Sequence, residues 1–113
     1  MIHKMNLAAL PFRAIATGKK TVEMRLFDER RVNIAVGDEI EFENIETFQK
    51  ITCKVAALSH FRDFFELYSH FDKAVLGYGE NETANPEDMY QYYSPEKIAQ
   101  YGVLAIEIKL ISD

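Results

Sequence analysis

A chain of 113 residues, 48% hydrophobic and 27% charged, is long enough for one domain and too short for two with cores of their own. Its single cysteine excludes an internal disulfide and a multi-cysteine zinc site, and a formal net charge of -5 argues against coating nucleic acid by bulk attraction. The longest apolar stretch, Val103 to Ile111, contains Glu107 and Lys109, and the opening Met-Ile-His-Lys-Met-Asn lacks the apolar run of a secretory signal. The expected location is therefore the cytoplasm, with no membrane contact.

Ile2 to Leu7 reads as a first strand. Pro11 suits the first position of a helix that ends before Gly18, with Phe12, Ile15 and Ala16 on one side. Thr21 to Phe27 then alternates with period two: Val22, Met24 and Leu26 share one face, and Thr21, Glu23 and Arg25 the other. Asp28-Glu-Arg-Arg and Val36-Gly-Asp read as turns, and Glu39 to Glu43 as a strand with Ile40 and Phe42 inward. A further strand places Ile51, Cys53, Val55 and Ala57 inward, so the cysteine behaves as a small buried hydrophobe. Phe61, Phe64, Phe65 and Tyr68 have helical spacing, with Ser59 as candidate N-cap. A loop over 77–83 and helical turns over 86–93 follow. Ser94, Pro95 and Gly102 then supply cap, first residue and terminator of a helix. Val103 to Ile111 closes the sheet, with Leu104, Ile106, Ile108 and Leu110 on one face. Five strands with helices grouped in insertions predict an α+β domain, a small curled sheet or barrel capped by short helices.

Charge is unevenly distributed. Residues 1–31 carry seven Lys/Arg against three acids, and residues 32–113 carry six against fifteen. If the split survives folding, one face suits an anionic ligand while the rest stays acidic; if the halves interleave, the asymmetry vanishes.

The chemistry-bearing stretch is Gly18-Lys19-Lys20-Thr21-Val22-Glu23-Met24-Arg25. With Val22 and Met24 in the core, Glu23 and Arg25 face either solvent or a cleft. In a cleft, an ammonium, a carboxylate and a planar guanidinium would meet a phosphate or a base edge. On a solvated face, the same residues make an ion pair contributing less than about 1 kcal/mol. His3, His60 and His70 have no metal-ligand spacing with one another or with Cys53, so neither a metal nor another cofactor is expected.

These residues fit the G-x-K-x-x-E-x-R signature of the ASCH (activating signal cointegrator homology) domain, of the PUA-like superfamily. Met5-Asn-Leu, Pro11-Phe12 with Ile15, Arg25-Leu26 before Asp28, and the Gly37-Asp38 turn resemble the family too. So do Met89-Tyr-Gln-Tyr-Tyr-Ser and Tyr101-Gly102-Val103, and the likeness covers most of the chain. It implies a PUA-like β-barrel of about five to six strands with a cleft over it, and binding of RNA or a modified nucleoside or nucleotide. Small bacterial members similar to this chain are amidohydrolases that deacetylate N4-acetylcytidine. Their motif lysine falls on Lys20, which makes Lys20 the carried-over catalytic candidate. They have threonine where Glu23 stands, and a glutamate from the helical insertion completes their site, for which Glu80 is the first candidate here and Glu82 the second.

Two chemistries follow. Glu23 or Glu80 activates a water while Lys20 stabilises the oxyanion, or Lys20 and Arg25 bind an anion and no bond is broken. Lys19, Thr21, Arg25, Tyr78 and Tyr93 are candidate ligand contacts, and the other tyrosines are expected to pack the helical cap. A protein-interaction module without a nucleic ligand is the alternative that the net charge favours.

Overall fold

A computed structural model describes residues 1–112. Strands β1 (Ile2–Leu7), β2 (Val22–Leu26), β3 (Glu39–Asn44), β4 (Lys50–Phe61) and β5 (Val103–Ser112) form one sheet in the order β1-β3-β4-β5-β2. β1 lies parallel to β3, and the other pairs are antiparallel. The sheet curls into a half-barrel, the α+β architecture expected, with β1 and β2 as its two edges. Helix α1 (Ala9–Ala16) follows β1, while α2 (Phe64–Tyr68), a 3-10 helix (Pro86–Gln91) and α3 (Pro95–Tyr101) occupy the β4–β5 connection.

Two cores hold the sheet, one on each face. Phe12 and Ile15 of α1 pack with Met5, Leu7, Ile40, Phe42, Ile51, Cys53, Val55, Leu104, Ile106 and Ile108. On the other face Val22, Met24, Leu26, Val103 and Ala105 meet Phe64, Leu67, Leu76, Met89 and Ile98 of the insertion. Both faces of β2 and β5 are thus covered, which is why β5 reads as a nearly continuous apolar run.

Four local expectations are corrected. Helix α1 starts at Ala9, so Pro11 stands third in the helix, where its missing N–H would have had no intrahelical acceptor. Ser59 and Phe61 belong to β4, and the cap of α2 is Asp63, whose side chain accepts from the Glu66 N–H at 2.9 Å. A register shift between Val55 and Ala57 turns Ala57 away from the core face and hands that face to Leu58 opposite Ile106. Leu110 is exposed rather than continuing the buried face of Ile108. The cap of α3 is as expected: Ser94 accepts from the Lys97 N–H, and Gly102 ends the helix at φ 73°.

Candidate functional site

Lys20, Glu23 and Arg25 meet where the half-barrel stays open. β2 presents Glu23 and Arg25 opposite Ile106 and Leu104, on the face of the first core, so the polar face of this strand is turned inward. Glu23 is only 3% exposed. Its Oε1 accepts from Lys20 Nζ at 2.9 Å and from the Met24 N–H at 3.1 Å, and its Oε2 accepts from Arg25 Nε at 2.8 Å and lies 2.8 Å from Nη2. Burial alone would raise the Glu23 carboxyl, but the charges and hydrogen bonds of Lys20 and Arg25 outweigh it and hold it at about 2. This is a buried three-membered ion cluster with one cation in excess, not a solvated pair.

Local structure fixes each member. Gly18, at φ 78°, reverses the chain after α1, and the Lys20 N–H returns to the Ala14 carbonyl at 2.9 Å. The N–H groups of Thr21 and Val22 both reach the Val75 carbonyl. Gly77 lies against the Lys20 stem so closely that a Cβ there would sit 3.2 Å from Lys20 Cδ. Arg25 Nη2 donates to the Asn6 carbonyl at 3.0 Å, reaching from edge strand β2 to edge strand β1. A side chain therefore bridges the seam that a closed barrel would fill with a backbone ladder.

The cluster forms the polar end of a pocket of about 150 Å³, walled by Asn6, Pro11, Met24, Met89, Tyr92 and Tyr93. A wider groove beside it shares Pro11, Lys20 and Tyr92 and adds Arg13, Lys19, Gly77 and Glu82. Of the residues singled out from sequence, Lys20, Glu23, Arg25 and Tyr93 line the pocket, and Lys19 and Glu82 line the groove. The other three lie elsewhere. Thr21 borders a separate recess with His70 and Phe71. Glu80 is exposed, and its carbonyl accepts from Lys73 Nζ at 2.9 Å. Tyr78 is tied into the cap: its hydroxyl lies 2.8 Å from the Tyr68 hydroxyl and donates to the Asp88 carboxylate at 2.8 Å. Tyr92 and Asn6 were not anticipated. A wall tyrosine beside Tyr93 carries no distinguishing sequence signal within a cluster of three, and Asn6 contributes through its backbone. Among the described residues no group of three His, Cys, Asp or Glu is placed to hold a metal ion, and no helix is long and apolar enough to cross a membrane.

The model of the ASCH domain matches residues 5–112. The chain belongs to the ASCH family. Among solved structures it is similar to the hypothetical protein PH0355, at 30% identity and TM-score 0.83, over 98% of this chain and 100% of that one. The protein PF0455 of Pyrococcus furiosus is also 30% identical, with TM-score 0.70 over 98% of each chain. ASCH from Zymomonas mobilis, at 20% identity and TM-score 0.67, covers 96% of this chain and 66% of its own, and supports the ASCH fold. No curated protein matches the chain.

Proposed function

We propose that this ASCH protein binds RNA or a modified nucleoside or nucleotide, with one base seated in the pocket over Lys20, Glu23 and Arg25. The observation that carries the reading is a ring-sized cavity whose floor is a buried, donor-rich cluster with an excess cation. An engineered cavity of about 150 Å³ takes up benzene, so the pocket suits a single six-membered ring better than a fused purine. Glu23 is saturated by its two cations and the Met24 N–H, whereas the Lys20 ammonium and the Arg25 guanidinium keep donors for a ring carbonyl or nitrogen. Tyr92 and Tyr93 offer ring faces at the wall, the usual platform for an unstacked base.

A second reading is favoured by one further feature: Lys20 borders both the pocket and the groove that holds Glu82. In N4-acetylcytidine the base would enter the pocket and the acetyl group the groove. Water adds to the acetyl carbonyl, Lys20 stabilises the oxyanion, and the C–N bond breaks to give acetate and cytidine, the amine taking up the proton lost by the water. Glu82 on the groove, rather than Glu23, is the base in this reading, because the Glu23 carboxylate is held at about 2 by Lys20 and Arg25 and accepts protons poorly near neutral pH.

The test is to titrate the protein with cytidine and a short single-stranded RNA, and to follow cytidine release from N4-acetylcytidine. Saturable binding that falls at least about tenfold in Lys20→Ala supports the pocket; binding that ignores this substitution removes it. Turnover lost in both Lys20→Ala and Glu82→Gln supports the hydrolase, and absence of turnover with intact binding leaves the binding reading alone.

A further inference from the structure

A second recess of about 470 Å³ adjoins the pocket and shares Asn6, Arg25, Tyr92 and Tyr93 with it. This recess lies along the seam between the edge strands. β1 contributes one side, and the Asp28–Arg31 turn contributes Arg30 and Arg31. Lys4, Arg25, Arg30 and Arg31 line it, and no Asp or Glu does. Two of these cations have carboxylates behind them: Arg25 has Glu23, and Arg31 Nη1 lies 2.7 Å from Asp28. Lys4 and Arg30 are exposed and form no ion pair among the described residues. In a chain of net charge -5, the basic excess of the first 31 residues thus converges in part on one concavity.

We propose that this recess receives a phosphate joined to the base in the pocket, so that the ligand class is a pyrimidine nucleotide or single strand rather than a free nucleoside. The inference rests on the pocket being a base site. The shared walls set the recess directly beside the base pocket, and Arg25 lines both. Its guanidinium is oriented by Glu23 and the Asn6 carbonyl, so it meets a phosphate without a search through rotamers. Arg31 is held similarly by Asp28, and Lys4 and Arg30 supply the charge that those carboxylates do not cancel. Screening over roughly 8–10 Å at physiological salt hides the acidic remainder of the molecule from an anion already in the recess.

The experiment compares cytidine, cytidine 5′-monophosphate, cytidine 3′-monophosphate and a short oligocytidylate by calorimetric titration. Each is titrated into the wild type, Lys4→Ala/Arg30→Ala and Lys4→Gln/Arg30→Gln; the second pair retains much of the polar surface should the first lose solubility. At physiological salt at least one phosphorylated ligand is expected to bind about tenfold or more tighter than cytidine. Both double variants should abolish that gain while leaving cytidine affinity intact, and the salt slope for the strand should fall by about one per cation removed. A gain with a monophosphate assigns the recess to a phosphate monoester; a gain with the strand alone assigns it to a diester. Phosphorylated ligands that bind no tighter than cytidine, or a gain that survives both variants, overturn the proposal and leave the base pocket standing. If no probe binds, the base pocket falls and the phosphate recess falls with it.

Discussion

Glu23 is the residue whose removal should be felt most in the fold. Its carboxyl drops from an ordinary 4.5 to about 2 on folding, which corresponds to about 3 kcal/mol of stability. Because the folded value is the lower one, that stability is fully present above about pH 5 and is lost as the pH falls toward 2. By pH 3 about 2 kcal/mol of it should be gone. Glu23→Gln keeps the shape but leaves Lys20 and Arg25 without a counter-charge in a site where Glu23 is 3% exposed, a change that costs about 3–5 kcal/mol for a buried pair. Urea unfolding of both proteins at a series of pH values from 7 to 3 separates the two effects. The variant should be several kcal/mol weaker at pH 7, and the gap should narrow by about 2 kcal/mol by pH 3, since every other carboxylate titrates in both proteins. A gap that stays constant with pH would refute the claim that Glu23 is ionised and held by its neighbours.

Three other outcomes follow from the same geometry. Tyr92→Ala removes a wall of the pocket from a residue that is 57% exposed, so ligand binding should weaken by about 1–3 kcal/mol while the unfolding midpoint stays put. A Cβ on Gly102, where φ is 73°, would lie 2.6 Å from His60 Nε2 and 3.0 Å from the Phe61 carbonyl. Gly102→Ala should therefore cost about 2 kcal/mol or more, read by thermal unfolding. Burial pushes the Cys53 thiol up to about 11, so a thiol reagent near pH 8 should label the native protein only as fast as it opens, and the denatured protein at once.

What could be read from the chain was what local chemistry decides. β1 was delimited by the run Ile2 to Leu7, and α3 by a cap, a proline and a glycine whose roles do not depend on the rest of the fold. Where tertiary packing decides, sequence reasoning failed. Ser59, His60 and Phe61 precede a helical aromatic pattern, yet they pair with β5 as strand because Phe61 lies opposite Val103. The extra residue near Ala56 inverts the alternation, which no period-two reading can foresee. The site divides in the same way. Lys20, Glu23 and Arg25 come together because a turn and one strand place them within six residues. Glu82 reaches the groove only through a loop in which the Gly79 N–H holds its carboxylate and Lys73 holds its backbone. A nearest-motif choice between Glu80 and Glu82 had nothing comparable to work from.

The position of the site follows from the unfinished barrel. Two edge strands that do not pair leave backbone acceptors such as the Asn6 carbonyl along an exposed seam, within reach of a side chain from the other edge. Arg25 donates to that carbonyl across the seam and also pairs with the buried Glu23 carboxylate, which in turn holds Lys20. The buried carboxylate thus holds two cations side by side, and Lys20 and Arg25 keep donors beyond those it takes. The opening that weakens the barrel is thus also what concentrates donors at one place, with aromatic walls on one side and the basic turn of Arg30 and Arg31 on the other.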